Sequence, residues 1–258
     1  MNAIDHRFAA LRQQGRKALM PYLTLGYPGL DSARELVPAL AAAGADFIEL
    51  GIPFSDPLAD GPVIQASSQR ALDNGMTPMR AFEQLQALNR AQALPPVVLM
   101  TYVNVVVNIG IDAFAARAAD AGAAGLVVPD LPLKQSAPLR RALKERGLHL
   151  IQMITPNLNE ARIAAIAEVA RGFIYLVSVL GVTGARTQLP DIGALTARVR
   201  RHTELPLALG FGISTPEQAR EALRHVEGVI IGSALTRRLT DPARAAEDAR
   251  RFIEEFSG

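Results

Sequence analysis

Cysteine and tryptophan are both absent from the 258 residues. Without cysteine there is no disulfide framework, no thiol nucleophile and no Cys-ligated metal, and the chain suits a reducing compartment. Aromatic residues make up only 5%, and no run of like charge accompanies the formal net charge of +2. A surface for stacking bases or tracking a phosphate backbone is therefore not indicated. Histidine is sparse and scattered, at His6, His149, His202 and His225. None falls at the carboxyl end of an expected strand, so no metal site is expected. Lysine occurs only as Lys17, Lys134 and Lys144. The first is expected at the start of a strand, the second in a solvated loop and the third in a helix, which leaves none placed as a Schiff-base amine. No apolar run reaches the roughly 18 residues that span a membrane. The opening stretch MNAIDHRFAALRQQGRK lacks the apolar core of a secretory signal, and a cytoplasmic protein is expected.

What the chain does have is a 49% hydrophobic fraction arranged in short runs. These are ALMPYLTLG (18–26), ADFIEL (45–50), PVVLMTY (96–102), GLVVPD (125–130), LHLIQMI (148–154), FIYLVSV (173–179), PLALGFG (206–212) and GVIIGS (228–233). Their length and their Val, Ile and Leu content suit strands buried on both faces. Between most of them lie segments of helical period, such as SARELVPALAAAGA, with Leu36, Leu40 and Ala43 on one side and Gly44 as a stop. Eight strand–helix alternations in this length predict a closed (β/α)8 barrel of one domain spanning residues 1–258. Ile4, Phe8 and Leu11 recur at helical spacing before the first strand, which predicts an additional N-terminal helix plugging the bottom of the barrel.

In such barrels the chemistry sits at the carboxyl ends of the strands. The stretch DFIELGIPFSDPLADGP (46–62) ends the second strand there. Side-chain alternation puts Phe47, Glu49 and Gly51 on one face, and Ile48 and Leu50 on the other. Glu49 then points into the barrel mouth among apolar neighbours, where desolvation raises a carboxyl pKa toward the range of a general acid–base. Asp60 follows in a loop stiffened by Pro53, Pro57 and Pro62. An acid in such a loop is ordinarily a turn former, and Asp56 reads that way. Asp60 is singled out because it shares the mouth with Glu49, and two carboxyls in different environments divide acid and base roles. At the other end of the chain, GVTGART (181–187), GFGIS (210–214) and GSA (232–234) place small residues at three successive strand ends. One glycine there is an ordinary turn residue; three such loops together predict a phosphate site built from backbone N–H groups. GFGIS does not fit the dinucleotide fingerprint.

FIELGIPFSDPLADGPVIQ, with GVTGART, GFGISTPEQ, GVIIGSA, PYLTLGYP and GLVVPDLP, closely resembles the tryptophan synthase alpha subunit family across essentially the whole chain. The resemblance implies retro-aldol cleavage of indole-3-glycerol phosphate to indole and glyceraldehyde 3-phosphate. It implies Glu49 as the acid–base and Asp60 as its partner carboxylate. It assigns Gly184, Gly212, Gly232 and Ser233 to phosphate, and Tyr175 to the substrate side. Tyr22, Met100, Tyr102, Val128, Met153 and Phe211 are expected to wall the indole, although core packing explains each of them as well. Residues 179–190 resemble a lid, with Thr183 bonding Asp60 on closure. The resemblance also implies a beta subunit in an alpha2beta2 complex. That partner carries pyridoxal phosphate and receives indole through a tunnel, while this chain itself has no cofactor. Pro53, Asp56, Pro57, Leu58, Asn104 and Asn108 are the expected contact surface. Leu180 and the stretch TPNLNEARI depart from the family pattern. A free-standing lyase and a catalytically silent activating subunit are the competing expectations.

Overall fold

The computed structural model describes residues 2–177, 192–210 and 212–257. Its strands are β1 Ala18–Thr24, β2 Ile48–Gly51, β3 Val97–Met100, β4 Gly125–Val127, β5 His149–Ile154, β6 Ile174–Val177, β7 Leu207–Gly210 and β8 Gly228–Ile231. Each pairs in parallel with the next, and β8 returns to β1 through Ala18 opposite Gly228, closing the barrel as expected. Closure leaves no open sheet edge. The helices are α1 Ala3–Gln13, α2 Ala33–Ala42, α3 Pro62–Asp73, α4 Pro78–Ala91, α5 Val103–Ile109 and α6 Ile111–Asp120. They continue with α7 Ala137–Glu145, α8 Glu160–Val169, α9 Ile192–Arg200, α10 Pro216–Leu223, α11 Ser233–Arg238 and α12 Ala245–Ser257. No helix among the described residues is long and apolar enough to cross a membrane.

Local chemistry sets several boundaries. The Asn2 side chain accepts from Ile4 N–H while Asp5 accepts from Asn2 N–H, a reciprocal cap on α1. Thr77, Asn159 and Thr215 cap α4, α8 and α10 from one side only, each side-chain oxygen accepting a backbone N–H of the first turn. Pro62, Pro78 and Pro216 occupy first helical turns, where no N–H is required. Three helices were not evident from the hydrophobic pattern. α3 begins inside the acidic loop stretch, α5 is built from VNVVVNI, whose β-branched residues favour strands, and the short α11 starts within the small-residue stretch GSA. α5 forms because Val105 and Val106 find a buried face, and it stops at Gly110, φ +92°.

Side chains divide into two layers. Ile48, Leu50, Leu99, Leu126, Leu176, Leu209, Val229 and Ile231 point outward and pack under the helices. Met20, Tyr22, Phe47, Val98, Met100, Val127, Ile151, Tyr175, Ala208 and Ile230 fill the interior. Ile4, Phe8 and Leu11 of α1 join that interior set from below. The Phe8 ring lies 4.8 Å from Phe47 and 5.7 Å from Phe173. Asp46, buried at the same end, accepts from Arg7 Nη2 at 2.6 Å, Arg16 Nη2 at 3.2 Å and Leu19 N–H at 3.0 Å. The N-terminal helix is thus a plug held by an aromatic cluster and by a satisfied buried charge.

Phe8→Ala is expected to cost about 3–5 kcal/mol, read as a lower urea midpoint with far-UV circular dichroism unchanged before the transition. A midpoint within error of the wild type would show that α1 does not seal the barrel.

Candidate active site

Alternation in β2 works as the sequence implies. Phe47 and Glu49 face the interior, Ile48 and Leu50 the helices. Glu49 is only 4% exposed, and neither carboxyl oxygen has a hydrogen-bond partner. Burial pushes its pKa up from 4.5 to about 8, with the nearby charge of Asp60 adding to the rise. Asp60 is buried at 5% exposure, but its surroundings differ. The Tyr102 hydroxyl donates to Asp60 Oδ2 at 2.9 Å and itself accepts from Ala59 N–H at 3.2 Å. Burial raises the Asp60 pKa to about 6, and the bond from Tyr102 holds it back. Near neutral pH, Glu49 is mostly protonated and Asp60 mostly ionised, a division set by environment.

The loop between β2 and α3 holds Asp60 by packing as well as by hydrogen bonds. Pro53 and Pro57 are buried, Phe54 stacks on Tyr102 with ring centroids 5.4 Å apart, and Gln65 Nε2 donates to the Asp60 carbonyl at 2.8 Å. Three of the chain's four tyrosines, Tyr22, Tyr102 and Tyr175, gather around the two acids. Each phenol has its pKa raised by burial first. The carboxyls add to this, Asp60 ahead of Glu49 at Tyr22 and Glu49 ahead of Asp60 at Tyr175. Two glycines make room for these rings. A Cβ at Gly51 would overlap the Tyr22 hydroxyl, and one at Gly210 would overlap Tyr175. The sequence puts Gly51 on the Glu49 face and Gly210 in the small-residue stretch read for phosphate, and gives no sign of this steric role.

The remaining predicted residues separate. Met100 lies in the interior set opposite Gly51, and Met153 packs half-buried against that set. Val128 belongs to the outer layer; Val127 is the residue of β4 that faces inward. Val128, expected to wall the indole, thus packs in the helix layer and not with the interior set. Val128 and Met153 both border a cavity of about 190 Å³ beside β4 and β5, which Arg162 of α8 also lines. Gly212 follows β7 with φ +86°, a conformation that favours glycine. Gly232 and half-buried Ser233 join β8 to α11. Thr183, Gly184 and Phe211, together with Leu180 and the lid stretch 179–190, lie outside the described residues. Of the expected contact surface, Asp56, Leu58, Asn104 and Asn108 are exposed, Leu58 at 86%. Pro53 and Pro57 are buried instead and stiffen the loop from within.

A protein-family model described as the tryptophan synthase alpha chain matches residues 8–257. The chain belongs to the tryptophan synthase alpha chain family. It is 45% identical over 260 residues to the tryptophan synthase alpha chain of a Picosynechococcus species, covering 99% of this chain and 98% of that one. It is 51% identical over 245 residues to the Synechococcus elongatus protein of the same name, covering 93% and 91%. Among solved structures, a tryptophan synthase from Mycobacterium tuberculosis superposes with TM-score 0.91 at 35% identity, covering 98% of this chain and 96% of that chain. The alpha subunit from Legionella pneumophila gives TM-score 0.88 at 32% identity, covering 99% and 97%. Membership of the tryptophan synthase alpha chain family thus rests on nearly the whole length of the barrel.

The raised Glu49 pKa has a measurable sign in this family member. The unfolded chain ionises Glu49 near 4.5 and the folded chain near 8. Between those values the unfolded state holds fewer protons, so native stability falls as pH rises through the window. Glu49→Gln does not titrate, and its stability relative to wild type should rise from about pH 5 to about pH 8 by up to about 1.4 kcal/mol per unit. Chemical denaturation of both proteins across that range checks this, and a pH-independent difference would count against a neutral buried Glu49.

Proposed function

We propose that the chain is a carbon–carbon lyase that cleaves indole-3-glycerol phosphate to indole and glyceraldehyde 3-phosphate, with Glu49 and Asp60 sharing the proton chemistry. The observation that supports this most is the pair of buried carboxyls whose pKa values stand apart, Glu49 at about 8 and Asp60 at about 6. The departing indole carbon has to be protonated if it is to leave as a neutral ring. Neutral Glu49 donates that proton to the ring carbon bearing the side chain, and positive charge develops on the ring nitrogen. Ionised Asp60 accepts the ring N–H and stabilises that charge. The Glu49 carboxylate then takes the proton of the adjacent glycerol hydroxyl. The O–H electrons become the carbonyl bond, the carbon–carbon bond breaks, and its pair restores the aromatic ring. Glu49 ends the cycle protonated, as it began. The ring itself is the electron sink, so the scheme asks for no lysine and no cofactor in this chain.

The phosphate is assigned to the backbone at Gly212, Gly232 and Ser233, with Gly184 completing it. These positions follow three successive strands, where N–H groups and a helix terminus favour an anion. Tyr175 and Met100 flank the ring, and Thr183 is the lid residue that bonds Asp60 and excludes water. The product indole passes to a beta subunit bearing pyridoxal phosphate in an alpha2beta2 complex. The exposed residues Asp56, Leu58, Asn104 and Asn108 support this partner face. Val107, 59% exposed on the same helix as the two asparagines, extends it with apolar surface.

Indole release from indole-3-glycerol phosphate, with and without a cognate beta subunit, tests the reading. Glu49→Gln and Asp60→Asn should each lower kcat by about 10²–10⁴-fold. Slow release that beta accelerates establishes a coupled subunit. Fast release with no response to beta makes the chain a free-standing lyase, and no release in either condition leaves a silent partner. The chemistry needs Asp60 ionised and Glu49 protonated, so kcat/KM should fall below about pH 6 and above about pH 8, following the two carboxyls. A profile with no fall above about pH 8 would remove Glu49 as the proton donor.

A further inference from the structure

The cavity of about 190 Å³ beside β4 and β5 lies on the helix side of the barrel wall. Its floor is Leu150 and Gln152 of β5, with Val128 just past β4. Leu131 and Leu133 close one flank. Ile151 and Met153 are the only lining residues that also belong to the interior set. The opposite flank is Thr155, Leu158, Arg162 and Ile166, from the end of β5 and from α8. Most of that flank falls in TPNLNEARI (155–163), the stretch that departs from the family pattern. Arg198 of α9 braces it. Its Nε donates to Glu160 Oε1 at 2.8 Å, its Nη1 to the Pro156 carbonyl at 3.0 Å and its Nη2 to the Leu158 carbonyl. Thr155 Oγ1 adds a bond to Asn157 Oδ1 at 2.6 Å.

Two polar side chains in this apolar lining have capacity to spare. Arg162 is half-buried, and its guanidinium has no carboxylate or carbonyl partner among the described residues. The nearest acid on its own helix, Glu160, is already taken by Arg198 at 2.8 Å, Arg201 at 3.0 Å and His202 at 3.1 Å. Gln152 is only 8% exposed. Its side-chain amide makes one hydrogen bond among the described residues, a long one from Nε2 to the Leu150 carbonyl at 3.3 Å. No Asp or Glu lines the cavity. Asp130, between the lining residues Pro129 and Leu131, accepts instead from Val103 N–H at 2.9 Å.

We infer that this cavity is a second binding site, outside the barrel interior, for a small aromatic monocarboxylate whose charge pairs with Arg162. An apolar cavity of about 150 Å³ holds benzene, so the space here suits a single ring with a short acid arm. A guanidinium fork matches a carboxylate in shape and charge, and the Gln152 amide supplies a further donor beside it. A ligand ammonium would find no counterion in this lining, so the site selects plain acids over amino acids.

The probe is phenylacetate, titrated into the full chain while nuclear magnetic resonance follows the side-chain methyls of Leu158 and Ile166. Those signals should shift with a Kd on the order of 1 mM or tighter. 2-Phenylethanol lacks the charge and L-phenylalanine adds an ammonium. Each should bind at least about fivefold more weakly at the same signals. Arg162→Gln should weaken phenylacetate by about tenfold and leave 2-phenylethanol within about twofold. No shift at Leu158 and Ile166 up to about 10 mM phenylacetate would overturn the inference, whether or not Met100 in the barrel mouth responds. Equal affinity for the acid and the alcohol would overturn it too, as would an Arg162→Gln chain that binds the acid like wild type.

Discussion

A carboxyl group enclosed in the barrel with no hydrogen bond to either oxygen is the constraint around which the upper half of the molecule is arranged. Glu49 reaches that position because β2 alternates between interior and helix layer, and it is held neutral by burial and by the nearby Asp60, with no hydrogen bond to either oxygen among the described residues. Its neighbour Asp60 is buried almost as deeply, but it is served by the Tyr102 hydroxyl. That bond, set against the fuller burial of Glu49 and its exposure to the Asp60 charge, separates the two behaviours. The same step along the barrel wall thus contains an acid that keeps its proton and an acid that gives it up, which is what a reaction that adds and removes a proton in one cycle requires.

The glycines of the strand ends belong to the same arrangement. Gly51 and Gly210 stand where any side chain would displace Tyr22 or Tyr175. Removing two Cβ atoms brings two phenols into a space otherwise lined by Met100, Ile230 and Val177. The mouth becomes apolar in its walls and hydroxylic at a few fixed points, the composition expected of a pocket for a small polar-tailed ring.

Much of this was legible in the sequence, and the residues show why the rest was not. All eight strands follow from short Val, Ile and Leu runs. The inward aim of Glu49 follows from a period of two, and the plug from Ile4, Phe8 and Leu11. Val128 was expected in the indole wall from the resemblance, not from any strand period, and it packs in the helix layer just past β4, where Val127 faces inward. α5 was hidden because VNVVVNI has strand propensity and is made helical by tertiary burial. The bond from Tyr102 to Asp60 joins residues 42 apart, and no local pattern announces such a pairing. Pro53 and Pro57 were assigned to the partner surface by resemblance, whereas both are buried, which fits the stiffening role read from the loop itself.

The aromatic plug at the foot of the barrel has a consequence at its head. Phe8, Phe47 and Phe173, with Leu11 and Ile4 beside them, occlude the axis from below, and the interior above them is filled to the level of Glu49. Among the described residues the foot of the barrel therefore offers water and protons no route to that carboxyl, and exchange with bulk solvent runs through the mouth. Whatever covers the mouth during turnover slows that exchange. A proton placed on the indole carbon while the mouth is covered comes from the enclosed carboxyl itself, so solvent isotope enters the product at the pace of opening and not at the pace of chemistry.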